Sequence, residues 1–225
     1  MKTDLHMHTH FSPASELSPA KLIKRCQKVG LDCIAVTDHN TIRGALEVQK
    51  YAPFKVIIGE EITSTHGEIT GLFLKEEIPS GLKPLETVER IRDQNGLVSI
   101  PHPFDRFRNN VIASDAIEKV AQVADIVEGF NSRNSAKSDN RKAHDFALKH
   151  GLIISAVSDA HTAMELGHTY MELPDFDGTP EDFKNALANA RLISNRTNPL
   201  IHVLTTLTKI KKRLVGSTQN DDDIF

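Results

Sequence analysis

At 225 residues the chain can form one sizeable α/β domain or two small ones, and 39% hydrophobic with 25% charged residues is a globular composition, not a disordered one. No run of 18 apolar residues is present, MKTDLHMHTH lacks the apolar stretch of a secretory signal, and Cys26 and Cys33 alone give no disulfide framework, so a cytoplasmic protein without a membrane span is expected. A net charge of -3 and a pI near 6.4 make bulk attraction to nucleic acid weak, although a local metal cluster could still draw a nucleotide.

In chain order, apolar runs predict strands at Lys2–Leu5, Cys33–Val36, Val56–Ile58, Ile69–Leu74, Leu97–Ile100, Ile126–Val127 and Ile153–Val157. Tyr170–Leu173 and Leu192–Ile193 are weaker strand candidates. Helices lie between them. Ser18-Pro19 offers an N-cap with proline at the first helical position, and Gly30 stops that helix. Pro84 opens a helix closed by Gly96, Asp139 to His150 has helical spacing before Gly151, and Pro180 with Glu181 and Asp182 opens another. Strands alternating with helices imply βαβ units and a mainly parallel sheet, placed within residues 1–197.

The remaining residues, 198–225, read as an amphipathic helix over Pro199–Val215 and a polar, acidic, disordered tail, Gly216–Phe225. Leu200, Val203, Leu204, Leu207, Ile210 and Leu214 share one face of that helix. Lys209, Lys211, Lys212 and Arg213 sit at its end, where the helix dipole favours cations, so a nucleic-acid contact there is possible but not favoured.

The chemistry gathers where the strands end. His6-Met7-His8-Thr9-His10 follows the first run, Asp38-His39 the second, then come Glu60-Glu61, Pro101-His102-Pro103, Asn131 and Ser158-Asp159-Ala160-His161. In a parallel barrel the C-terminal strand ends share one face, so groups distant in sequence converge there. A lone His-x-His or Glu-Glu would be weak, but their recurrence at successive strand ends points to one metal site. Imidazole and carboxylate together, with no thiolate offered, suit Zn, Mn or Fe. His6 and His8, two apart on a strand, point to the same face, as do Asp159 and His161.

These residues also resemble the motifs of the PHP family (polymerase and histidinol phosphatase). Asp4-Leu5-His6-Met7-His8-Thr9, Thr37-Asp38-His39, Gly59-Glu60-Glu61, Pro101-His102-Pro103 and Ser158-Asp159-Ala160-His161 stand in the family's order over residues 2 to about 195. The resemblance implies a distorted (β/α)7 TIM-like barrel with two or three divalent ions in a cleft. It implies hydrolysis of phosphomonoesters or phosphodiesters such as histidinol phosphate, nucleotides or DNA ends. Carried over, one ion would be held by His6, His8, Glu61 and Asp159, a second by Glu61 and His102, and a third by His39 and His161. The family's glutamate usually stands two residues after the glycine, which selects Glu61 over Glu60. Two departures stand out: Ser12-Pro13-Ala14-Ser15 carries no ligand where many members have an aspartate or histidine, and Asn131 stands where many have His or Cys.

The expected reaction is metal-dependent hydrolysis of a small or terminal phosphate ester, from a small phosphorylated molecule or a nucleotide. His39 and His161, where not engaged by metal, are candidates to protonate the leaving oxygen, and Asp38 beside His39 is grouped with them as catalytic. Arg106, Arg108 and Arg133 follow strand ends and are candidates to grip the phosphate, with Asn131 beside them; His66 and His168 read as satisfied loop histidines. Two other classes compete. A non-catalytic PHP-like domain would serve structure or interaction, and an amide hydrolase on the same barrel would more often carry a lysine at a strand end, which is absent from these groups.

Overall fold

The structure is a computed structural model that describes residues 1–197 and 205–212. In chain order the elements are β1 (Lys2–Asp4), α1 (Pro19–Val29), β2 (Cys33–Val36), α2 (Arg43–Tyr51), β3 (Lys55–Ser64), β4 (Gly67–Leu72), α3 (Pro84–Asp93) and β5 (Leu97–Ile100). They continue with α4 (Ser114–Ala121), β6 (Ile126–Asn131), α5 (Lys137–His150), β7 (Ile153–Val157), β8 (Tyr170–Glu172), α6 (Pro180–Ala188) and β9 (Arg191–Ile193). Residues 205–212 form a further helix, while the rest of the expected Pro199–Val215 helix and the Gly216–Phe225 tail fall outside the described residues.

Local chemistry sets the helix ends. The Ser18 hydroxyl accepts from Lys21 N at 3.4 Å, Pro19 occupies the first turn, and Gly30 at φ 71° turns the chain out. Thr179 caps α6 in the same way, ahead of Pro180. The helices α2 and α4 begin without a side-chain cap, at Ile42 and Ala113. Burial of Gly44, Ala45 and Val48 on α2, and of Ala116, Ile117 and Val120 on α4, holds them instead.

One sheet of nine strands runs β7-β6-β5-β4-β3-β2-β1-β8-β9. The pairs β1–β2, β2–β3, β5–β6 and β6–β7 are parallel, and β4 is antiparallel to both neighbours. Beyond β1 and β7 a parallel bridge joins Met7 to Ala160, and His8 N donates to Ala160 O at 2.8 Å, so the sheet curls until its edges nearly meet. At the opposite end β8 pairs antiparallel with the start of β1. The result is the expected distorted TIM-like barrel, with β4 as the reversed strand. Glu60 and Glu61 lie inside β3, which extends past the expected Val56–Ile58.

Alternation along the strands separates two apolar clusters. Ile34 and Val36 of β2 join the layer beneath the helices, whereas Cys33 and Ala35 join a second cluster with Leu72, Leu97, Ile126 and the α6 residues Phe183 and Leu187. This second cluster fills the barrel interior. Both cysteines are buried and free. No helix among the described residues is long and apolar enough to cross a membrane.

The 205–212 helix meets the body through polar side chains. Leu207 and Ile210 are 56% and 49% exposed, while Thr205 is buried. Polar anchors set this face: Thr205 meets the Arg133 guanidinium at 2.9 Å, and the Lys212 ammonium reaches three backbone carbonyls.

Candidate metal centre

The interior face of each strand can be followed upward by twos. From Ile57 it passes Gly59 to Glu61, from Ile126 it reaches Glu128, and from Leu72 it runs back through Thr70 to Glu68. Because β4 is reversed, its start stands beside the C-terminal ends of the parallel strands. Three glutamates therefore face one space, all buried. His6 and His8 enter it from the segment after β1, while Met7 between them points into the outer core. His102 and Asp159 follow β5 and β7 with positive φ, 27° and 53°, an uncommon backbone that aims their side chains into the same space.

The donor atoms converge closely. His6 Nε2 and His8 Nε2 are 3.1 Å apart. Glu61 Oε2 lies 3.4 Å from His6 Nε2, 3.5 Å from His8 Nε2 and 3.2 Å from His39 Nδ1. Asp159 Oδ1 lies 3.4 Å from His8 Nε2 and 3.8 Å from His6 Nε2. The other Glu61 oxygen, Oε1, meets His102 Nε2 at 2.8 Å. Glu68 stands 3.5 Å from His39 Nδ1 and 3.7 Å from His102 Nε2. Three overlapping groups have the reach of a metal site: His6, His8 and Glu61; His8, His39 and His161; and His39, Glu61 and Glu68.

The far side of three of the rings carries a partner that sets the tautomer. His6 Nδ1 lies 2.5 Å from Glu128 Oε1, an acceptor, so Nδ1 carries a proton, and in the neutral ring Nε2 turns its lone pair inward. His161 Nδ1 does the same with the Asp159 carbonyl at 2.9 Å. Ser12 settles His8. Its hydroxyl donates to Asp38 Oδ1 at 2.6 Å and accepts from His39 N at 3.1 Å, leaving an acceptor position for His8 Nδ1–H at 3.1 Å. Buried acceptors behind ligating histidines are how metal sites orient their first ligands.

Charge balance follows from the crowding. Burial opposes the His6 cation, yet Glu128, Asp159 and Glu61 together hold its pKa well above 6.5. Burial also opposes ionised Asp159 and Glu61; Arg108 and His6 hold the first well below the usual carboxylate range, and His6 and His39 hold the second there. Burial, opposed by Glu61 and helped by His8 and His6, brings His39 down to about 4. His161 is lowered by burial, His8 and Arg133, and Glu68 is raised to about 7 by burial and Glu61.

The site brings together all seven expected ligands: His6, His8, His39, Glu61, His102, Asp159 and His161. Glu60 points the other way, its Oε2 accepting from Ile78 N at 2.9 Å. Asp38 faces the loop, accepting from Thr9 N at 2.7 Å, Thr9 Oγ1 at 2.5 Å and Ser12 Oγ, with no bond to the cluster rings. Arg108 reaches the cluster, its guanidinium joining Asp105 at 3.0 Å and Asp159 Oδ2. Asn131 donates to Glu128 at 2.9 Å and to Asp159 at 3.0 Å. Arg106 is exposed and pinned to Asp139, and Arg133 is buried against Glu165 at 2.7 Å. His66 and His168 are exposed. Sequence reasoning missed Glu68, Glu128 and Ser12. Parity along the strands was the available signal for the two glutamates.

The residues fit divalent ions. Glu61 Oε2 and Asp159 Oδ1 are buried without a hydrogen-bond partner, although an unpaired buried carboxylate oxygen is costly. Both oxygens face inward imidazole lone pairs, and imidazole with carboxylate is the donor set of Zn, Mn and Fe sites.

Comparison with known proteins agrees with this chemistry. The PHP domain family matches residues 4–120, and the PHP-associated family matches residues 137–192. An uncharacterized protein of Methanocaldococcus jannaschii is 35% identical over 220 residues, covering 93% of this chain and 86% of that protein. A two-domain protein of Bacteroides vulgatus, containing a predicted PHP-like metal-dependent phosphoesterase, superposes with a TM-score of 0.70 at 17% identity. That match covers 87% of this chain and 65% of the other, so the chain spans just under two thirds of that neighbour. A lesion-specific endonuclease of Pyrococcus furiosus gives a TM-score of 0.59 at 18% identity, covering 85% and 57% of the two chains. With a family match over more than half its length, on the motifs that build the centre, the chain belongs to the PHP domain family.

Proposed function

We propose that the protein hydrolyses phosphate esters with two or three divalent ions (Zn, Mn or Fe), acting on a small or terminal phosphate such as that of a nucleotide. The observation that carries this reading is the pair of unpartnered buried oxygens, Glu61 Oε2 and Asp159 Oδ1, set among inward imidazole nitrogens. His6, His8, Glu61 and Asp159 would hold one ion; Glu61 and His102, with Glu68 beside them, a second; His39 and His161, with His8, a third. Such ions supply a water-derived nucleophile at neutral pH and neutralise charge on the phosphoryl oxygens.

The chain's own residues do the rest. Arg108 presents a guanidinium fork at the cluster and can exchange Asp159 for a phosphate, which the fork grips bidentately. Asn131 then keeps Asp159 Oδ2 hydrogen-bonded. The His39 side chain is 23% exposed and neutral at pH 7, so where no ion engages it, it can accept a proton from an attacking water. His161, lowered further and buried, is suited to ligation rather than proton donation.

The test is turnover of an aryl phosphate and a bis-aryl phosphate by metal-stripped protein reloaded separately with Mn, Zn and Fe. We expect metal-dependent hydrolysis that disappears in His8→Ala, with the preferred substrate separating monoesterase from diesterase. Stoichiometric metal uptake without turnover would replace catalysis by a structural or interaction role. The Asn131 position, where many members place a ligand, would then be the first suspect.

A further inference from the structure

Lys212, in the last described turn of the 205–212 helix, is bound to the body of the protein. Lys212 Nζ donates to His10 O at 2.7 Å, Ser12 O at 3.0 Å and Ser15 O at 2.5 Å. Those three bonds use all the donors an ammonium has. The loop they gather is the one whose side chains hold the cluster histidines. Ser12 Oγ receives His8 Nδ1 and His39 N, and Ser15 Oγ donates to His8 O at 3.1 Å and to His161 O at 2.9 Å. His8, His39 and His161 are one complete ligand group.

The other end of the helix reaches the same group by a second route. Thr205 Oγ1 accepts from Arg133 Nη2 at 2.9 Å, and Arg133 Nη1 pairs with Glu165 Oε1 at 2.7 Å. Glu165 Oε2 in turn accepts from His161 N at 2.9 Å and Thr162 N at 2.9 Å. Ser12, Ser15, His8, His161, Glu165, Arg133 and Thr205 are buried, while His39 and Lys212 are partly buried. The exposed Lys211–Glu16 pair at 2.9 Å adds little, as exposed ion pairs do.

We propose that the 205–212 helix is a clamp on the metal position formed by His8, His39 and His161, with Lys212 and Thr205 as its positioning residues. The proposal rests on the metal-dependent reading above, and it places the main effect on the one ion whose ligands are all tied to the helix. The Lys212 ammonium sets the spacing of three carbonyls, the loop sets Ser12 and Ser15, and these set the rings. His6 and Glu61 bond neither to this loop nor to the Arg133 chain, whereas Asp159 touches the chain through its carbonyl, which meets His161 Nδ1 at 2.9 Å.

The test is stepwise Zn and Mn titration of metal-stripped full-length protein against a chelating indicator, with wild type, Lys212→Ala, Lys212→Arg and Thr205→Val in parallel. Thermal unfolding of each metal-free variant monitors folding. We expect one binding step to weaken about 10–100-fold in Lys212→Ala and in Thr205→Val, the range seen when a residue behind a metal ligand is removed. The step at the His6, His8, Glu61 and Asp159 position, which shares only His8 with the clamped one, should weaken least, and Lys212→Arg should recover most of the loss. Equal weakening of every step, or no weakening despite a lowered unfolding temperature, would reduce the helix to a structural role and overturn the clamp. Wild type that takes up no ion would overturn the metal-dependent reading itself, an outcome distinct from variants that match a metal-binding wild type.

Discussion

At the scale of single residues, the centre divides into atoms that face the cluster and atoms that hold those in place. His6 and His8 were legible in the sequence because period two puts them on one face, and Glu61 because the PHP-family motif it resembles places its glutamate two residues after a glycine. Glu68 and Glu128 were not, since each looks like an ordinary strand charge until the barrel interior is known. Counting by twos from Leu72 and Ile126 finds both. Glu128 is the sharper case. It accepts from His6 Nδ1, from His102 N at 2.9 Å and from Asn131 Nδ2, so one carboxylate orients two ligands. Glu128→Gln puts an amide donor where one of those donors now points. The expected result is a metal affinity about 10–100-fold weaker, read by competition with a chelating indicator. An unchanged affinity would mean that the His6 tautomer is fixed by something other than Glu128.

At the scale of elements, the strands were legible to within a few residues, and so were the helices that open on proline, α1, α3 and α6. The helices α2 and α4 have neither proline at the start nor a capping side chain, so the sequence carries no start signal for them. The reversal of β4 was also missed. Only Thr65 and His66 separate β3 from β4, and so short a connection allows only an antiparallel pair. Between elements, Asp125 ties α3 and α6 to the strands: it accepts from Arg92 at 2.7 Å, Lys184 at 2.7 Å and Val98 N at 2.9 Å. Burial would raise its pKa, but these bonds outweigh it and hold the group below 3.8. A carboxyl lowered on folding adds stability above its unfolded pKa and loses it as pH falls through the folded value. Asp125→Asn should therefore cost about 2 kcal/mol in urea unfolding at pH 7, with the difference closing as the pH falls below the ordinary carboxylate range. A deficit that persists undiminished in acid would assign the effect to packing instead of charge.

At the scale of the whole molecule, the two apolar clusters explain why so polar a centre can exist. The interior cluster, with Phe183 and Leu187 of α6, packs one end of the barrel, and the polar groups occupy the other. The 205–212 helix is held to the body by polar contacts at both ends, Thr205 to Arg133 and Lys212 to three backbone carbonyls, while Leu207 and Ile210 are exposed. The most direct measurement for the whole account is anomalous diffraction at the zinc edge from crystals of the full chain grown with zinc. The account predicts an ion about 2.0–2.2 Å from His6 Nε2, His8 Nε2, Glu61 Oε2 and Asp159 Oδ1, with further peaks near His102 and near His161. A crystal with no anomalous peak among these atoms at saturating zinc would contradict it.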